Sequence, residues 1–251
     1  MSHTRLEVCR DPAGGRVRVV VRTDGPRGRG HLGIRVLHAG VDGARVAVLA
    51  EGALLVAGDD VSVGMRVGPG VRLDVVEPAG TVAFDMRGGS ARWGVSVEVD
   101  DEGELVWRAE PFVVATGAVV DRELEVTLHG SGAAVLREVL VLGRVREAGG
   151  VVRQRLRATA SGRPLLAEDL ALDGARPQVA VIGGHRVVDS VTVLGRRVGP
   201  STPGAAHRLE LEGAGTVVRH LGAQTHTSPL EPYWKVVARE RSPSRPRGGR
   251  R

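Results

Sequence analysis

Apolar and polar side chains alternate with a period of two through most of this chain, and that rhythm restricts what it can become. In Asp60–Val67 (DVSVGMRV), Val61, Val63, Met65 and Val67 fall on one side while Asp60, Ser62 and Arg66 fall on the other. Val71, Leu73 and Val75 continue the pattern, as do Trp93, Val95, Val97 and Val99, and then Leu124, Val126 and Leu128. A helix needs a period near 3.6, whereas a period of two with β-branched enrichment marks a half-buried strand. Gly, Pro and Asp clusters interrupt the alternation at 40–43, 58–60, 68–70, 78–80, 88–89 and 100–103. The expectation is an all-β, β-rich chain with few short helices, made of consecutive short antiparallel strands in a sandwich, barrel or wound sheet. Ala133–Leu142 and residues 165–172 suit either a helical or a strand template, and the first is read as strand. No linker interrupts residues 1–238, which read as one domain.

Composition removes several classes. The longest charge-free apolar runs, 111–120 and 52–58, fall far short of the ~20 residues of a membrane helix. No signal-peptide pattern opens the chain, and the single cysteine, Cys9, permits no internal disulfide and no CxxC pair, so a cytoplasmic location is expected. The one lysine, Lys235, is not preceded by a GxxxxG loop, so the chain is not itself a P-loop nucleotidase.

A net charge of +6 first suggests a nucleic-acid partner. Its distribution argues against one. Residues 239–251 (RERSPSRPRGGRR) hold six Arg against one Glu, leaving residues 1–238 nearly neutral. A terminal stretch of Arg, Pro, Ser and Gly cannot bury apolar surface and is expected to be a disordered basic tail. Aromatic residues are 2% of the chain, too few for base-stacking platforms, so neither nucleic acid nor membrane is expected as a partner of the folded part.

Catalytic and metal-binding patterns are weak. His220 and His226 lie six apart with no nearby cysteine to complete a metal site. There is no GxSxG elbow, and the Gly183-Gly184 pair after the strand-like QVAVI lacks a GxGxxG context. Carboxylates beside Gly or Pro stand out more: Asp59 and Asp60 after Gly58, Glu77 before Pro78, Asp85, and Glu110 before Pro111. Such acids commonly brace turns by bonding the backbone. Several hard oxygen donors with few thiols also suit a divalent cation held weakly and in passing.

These same segments carry a resemblance. Leu54-Leu-Val-Ala-Gly-Asp-Asp60 followed by VSVGMRVGPGVRLDVVEPAGTVAFDMRGG, then ELVWRAEPFVV at 104–114 and AAVLREVLVLGR at 133–144, occur in the order found in the urease accessory protein family UreD, also called UreH, in its actinobacterial form. The likeness runs from about residue 40 to residue 172. The family's Pro before Glu-Pro is Ala109 here, and its Gly-Glu after the GR pair is displaced into 146–150. The resemblance implies a β-rich, non-catalytic chaperone that binds UreF, and through it the GTPase UreG, on apo-urease. It would assist nickel insertion into the carbamylated-lysine site, with no tightly bound cofactor. Carried over by position, Asp59 is the Gly-Asp acid, Glu110 the Glu-Pro acid, and Glu138 and Arg144 belong to the GR segment as interface or structural residues. Asp59, Asp60 and Glu110 are expected to line a path for nickel in transit. The competing expectations are a β-solenoid or sandwich carbohydrate-active enzyme, which needs paired carboxylates and aromatic platforms, and a β-module binding nucleic acid through its tail.

Overall fold

The computed structural model describes residues 1–25, 30–176, 179–199 and 204–240. Two sheets face each other across one core. The first orders its strands β14-β13-β11-β8-β5-β1-β2, namely Arg163–Asp173, Val151–Ala160, Val119–Leu128, Ala91–Val99, Asp60–Val67, Ser2–Cys9 and Arg18–Asp24. The second runs β16 (His207–Glu210), β17 (Gly215–Gly222), β15 (Val187–Leu194), β12 (Ala133–Leu142), β9 (Glu104–Arg108), β6 (Arg72–Val76), β4 (Gly43–Glu51) and β3 (His31–Ala39). Two short strands, β7 (Thr81–Ala83) and β10 (Phe112–Val114), attach beside β12.

From β4 to β13 the chain winds alternately through the two sheets, so each strand stacks on one from the preceding coil. The central ladders are therefore parallel: β1–β5, β5–β8, β8–β11 and β11–β13 in one sheet, β4–β6, β6–β9 and β9–β12 in the other. This corrects the expected strand direction while leaving the all-β class intact. Antiparallel pairs occur at the ends of the winding, in β1–β2, β3–β4, β13–β14, β12–β15 and β15–β17. Residues 165–172 lie within strand β14, and the strand-like QVAVI yields a single helical turn, α1 (Val179–Ile182), at its described residues.

The alternation places Val61, Val63, Met65, Val67, Trp93, Val95, Val97, Val99, Leu124, Val126 and Leu128 in the core between the sheets. Asp60, Ser62, Arg66 and Glu125 sit on the solvent face of the first sheet. On the second sheet the outer face is also covered. Helix α2 (Leu230–Val237) packs Leu230, Tyr233, Trp234 and Val237 onto Val106, Val135, Val191, Val193 and Val218. Charges placed on the sheet hold it at both ends. Arg72 and Arg196 donate to the carbonyls of Ala238 and Val237 (2.6 and 2.8 Å), which favours the negative end of the helix dipole. Glu231 in the first turn pairs with Arg137 and with Arg108 (3.3 Å). Residues 239–240 follow α2, with the Glu240 carbonyl accepting from Arg196 (3.0 Å); the rest of the expected tail lies outside the described residues. No helix among the described residues is long and apolar enough to cross a membrane.

Candidate functional site

Two neighbouring strands of the second sheet are broken at the same level. Pro78 and Pro111 lack the N–H a ladder needs, so β6 stops before Glu77–Gly80 and β9 before Ala109–Pro111, and pairing resumes with β7 and β10. The breaks fit tightly: a side-chain carbon at Gly80 would stand 2.5 Å from the Pro111 carbonyl. Strand β12 spans both pieces, pairing with β9 through Arg137 and with β10 from Leu140, and Glu138 lies between.

These interruptions open one small chamber between the sheets. Glu77, Glu110, Glu123 and Glu138 line it with Arg122, Arg137, Arg155 and Gln154, and Trp93, Trp107, Phe112 and Leu136 are among the apolar walls. Arg122 reaches in from β11, donating to Gln154 Oε1 (2.5 Å) and Glu138 Oε1 (3.1 Å), its guanidinium 4.3 Å from the centre of the Phe112 ring. Glu77 accepts the Trp107 indole N–H (3.1 Å) and the Glu110 backbone N–H (3.2 Å). Burial raises the Glu77 carboxyl to about 7, against the pull of those two N–H groups and of Arg122, with Glu138 adding repulsion. The cavity is about 30 Å³. That holds a water or two and is far below the ~300 Å³ of a small-molecule pocket. A sugar does not fit, which removes this chamber as a carbohydrate-processing site.

The chamber adjoins a second hollow on the outer face of the first sheet, and Trp93, Glu123 and Arg155 line both. Asp60, Ser62, Arg92 and Asp121 line the outer hollow alone. Of the sequence-predicted acids, Asp60 lines the outer hollow and Glu110 the chamber. Asp59 does not line either space. It is buried, 8% exposed, and its carboxylate accepts the Val56 N–H (3.1 Å) in the turn before β5. The paired GR-segment residues also separate: Glu138 faces the chamber, whereas Arg144 is exposed and holds Glu147 (2.6 Å). The Arg144 side chain and its backbone N–H keep the Glu147 carboxyl down at about 2.

Sequence reasoning noticed Glu77 beside Pro78 but did not select it, and missed Arg122 and Gln154. A signal existed for Glu77, since Glu-Pro occurs both at 77–78 and at 110–111, one coil apart. For Arg122 there was none, because an arginine at an inward position of β11 breaks the alternation without a readable partner. His220 is buried with neither ring nitrogen hydrogen-bonded, while His226 is exposed. Among the described residues the one grouping of three metal-type donors is Glu98, Asp100 and His129, and Arg66 already approaches both carboxylates at 3.6 and 3.3 Å.

The chain is an all-β, coiled two-sheet body with a water-sized polar chamber between its sheets. Comparison with known proteins adds the family. The profile of the UreD urease accessory protein family matches residues 16–248. The chain is 46% identical over 202 residues to urease accessory protein UreD 1 of Streptomyces griseus, covering 78% of each chain. It is 36% identical to UreD of Frankia alni, over 66% of this chain and 64% of the relative, and 33% identical to UreD of Streptomyces coelicolor, over 81% and 80%. The chain belongs to the UreD family of urease accessory proteins; it is an accessory protein of urease maturation and not an enzyme.

Proposed function

We propose that this chain is a scaffold in urease maturation that binds UreF, and through it UreG, on apo-urease, and passes nickel between the outer hollow at Asp60 and the chamber at Glu110. The observation that carries the reading is the convergence of Glu77, Glu110 and Glu138 on one water-sized space next to the Asp60 hollow. Four carboxylates, Glu77, Glu110, Glu123 and Glu138, line the chamber beside three guanidinium groups, Arg122, Arg137 and Arg155, so a dication would enter only where a proton or an arginine contact gives way. Oxygen donors without a thiol bind nickel weakly enough to release it. A cation entering beside Glu77 displaces its proton, which couples passage to pH.

Co-expression with the other urease accessory proteins and apo-urease tests this. Glu110→Ala and Asp60→Ala are expected to remain folded and bound to UreF while the purified urease loses most of its nickel and activity. Asp59→Ala is expected to lower stability instead, because it frees the Val56 turn. Full nickel content with both Glu110→Ala and Asp60→Ala would sink the route. Failure of the wild-type chain to copurify with UreF or apo-urease would sink the scaffold itself.

A further inference from the structure

Arg122 stands where a chain built only for stability would place an apolar residue. It takes an inward position of β11, between the core residues Val120 and Leu124, and is 8% exposed. Its cross-strand neighbours are Trp93 on β8 and Gln154 on β13. Burying a guanidinium is costly unless each of its donors finds an acceptor. Arg122 falls short of that. One terminal nitrogen donates to Gln154 Oε1 (2.5 Å) and the other to Glu138 Oε1 (3.1 Å), while the buried Nε has no acceptor among the described residues.

The other two guanidinium groups along the chamber are engaged at its outer sides. Arg137 turns to Asp189 (3.0 Å) and to Glu231 in the first turn of α2, on the outer face of the second sheet. Arg155 reaches Glu123 (3.6 Å) on the outer face of the first. Arg122 is the one directed at the inner carboxylates: it bonds Glu138, and its charge draws on Glu77. Its two remaining supports carry no formal charge. Gln154 offers a neutral amide oxygen, and the Phe112 ring lies 4.3 Å from the guanidinium carbon and offers its negative face. That ring is itself held edge-on by Trp93, with centroids 5.7 Å apart. The head group therefore has a resting place that does not depend on Glu138.

We infer that Arg122 is the gate of the chamber: it balances Glu138 while the chamber is empty, and a dication enters by taking Glu138 from it, the guanidinium staying on Gln154 and Phe112. The inference rests on the cation route proposed above and names the residue that controls entry to it. Entry is then a competition. A monovalent ion would replace one unit charge by another and lose its hydration for nothing, whereas a dication doubles the attraction to the same carboxylate. The resident charge also loosens the hold on whatever has entered, which suits a cation in transit.

The test titrates the full chain with nickel by calorimetry and follows release by stopped-flow capture with a chelator, with melting temperature as the folding control. Arg122→Gln removes the charge and keeps a donor. It is expected to bind nickel at least about tenfold tighter than the wild type and to release it more slowly, since a positive charge at contact distance has gone. Arg122→Lys keeps the charge and is expected to stay near the wild-type affinity. Adding Glu138→Gln to Arg122→Gln is expected to cancel the increase. A merely structural arginine would instead lower both melting temperature and affinity in Arg122→Gln, and that result overturns the gate. If Arg122→Gln does not fold, Gln154→Ala gives the second reading: Arg122 then leans harder on Glu138, nickel should bind more weakly, and unchanged affinity overturns the gate. Nickel bound equally by the wild type and Arg122→Gln, yet lost in Glu110→Ala, overturns the gate and leaves the route standing. Nickel bound by neither the wild type nor Arg122→Gln removes both.

Discussion

Glu77 is a partly buried glutamate whose surroundings penalise its charged form. Its carboxyl, held near 7 rather than near 4.5, binds a proton more tightly in the folded chain than in the unfolded one. The protonated form is therefore the stabilised one. Its contribution is complete below about pH 4.5 and is lost as pH rises towards 7, a change of about 2–3 kcal/mol. Urea titrations of the wild type and Glu77→Gln across pH 4.5–8 should show the wild type falling by that amount relative to the variant; parallel curves would mean that Glu77 is solvated. Glu147 has the opposite sign. Its carboxyl, lowered to about 2 by the Arg144 side chain and backbone, contributes above its unfolded value and loses that contribution as pH falls towards 2. Acid should loosen the 143–150 turn first, visible as early amide exchange at Gly143 and Gly149. At this scale the sequence was legible where the chain breaks, because Gly-Asp and Glu-Pro announce turns. It was not legible where an inward charge such as Arg122 depends on a partner from another coil.

Among the elements, the strands were readable and their direction was not. Parallel sheets usually carry helices on both faces and read as continuous apolar runs. Here the outer face of the first sheet meets solvent, so its parallel strands show the alternation normally associated with antiparallel ones, and the sequence pattern pointed the wrong way. The α2 strap escaped notice because eight residues containing Pro232 offer barely two turns of helical periodicity. Its anchoring is nevertheless substantial. Trp234→Ala should cost about 3–4 kcal/mol through lost burial against Val191, Val193 and Val218. Arg196→Ala should also destabilise, by leaving Glu104 with Arg72 alone and freeing the last carbonyls of the helix. Limited proteolysis checks both: cleavage after Lys235 or Arg239 should accelerate in each variant while the strands stay protected. Unchanged cleavage would show that the strap is held by something else.

On the scale of the whole molecule, one hydrophobic core runs from Leu6 to Leu194 and links every coil. Equilibrium unfolding should therefore be a single transition, with far-UV circular dichroism and tryptophan fluorescence coinciding. A separate early phase in fluorescence would place Trp234 and its helix outside the cooperative unit. Folding should be slow, since the parallel ladders that form most of both sheets join residues from different coils.

The antiparallel strands that close both ends of the winding carry one more consequence. A bare parallel coil offers its last rung as a template to the next molecule, and fibres grow by that addition. Here β2 and β14 fold back over the first sheet, and β3 and β15 over the second, so each rung sequence ends in a strand of the opposite sense. Coils cannot be appended without discarding these hairpins. Length variation within such a lineage is thereby steered away from the number of coils and into the loops at their corners, where insertions can accumulate while the stacked strands keep their register.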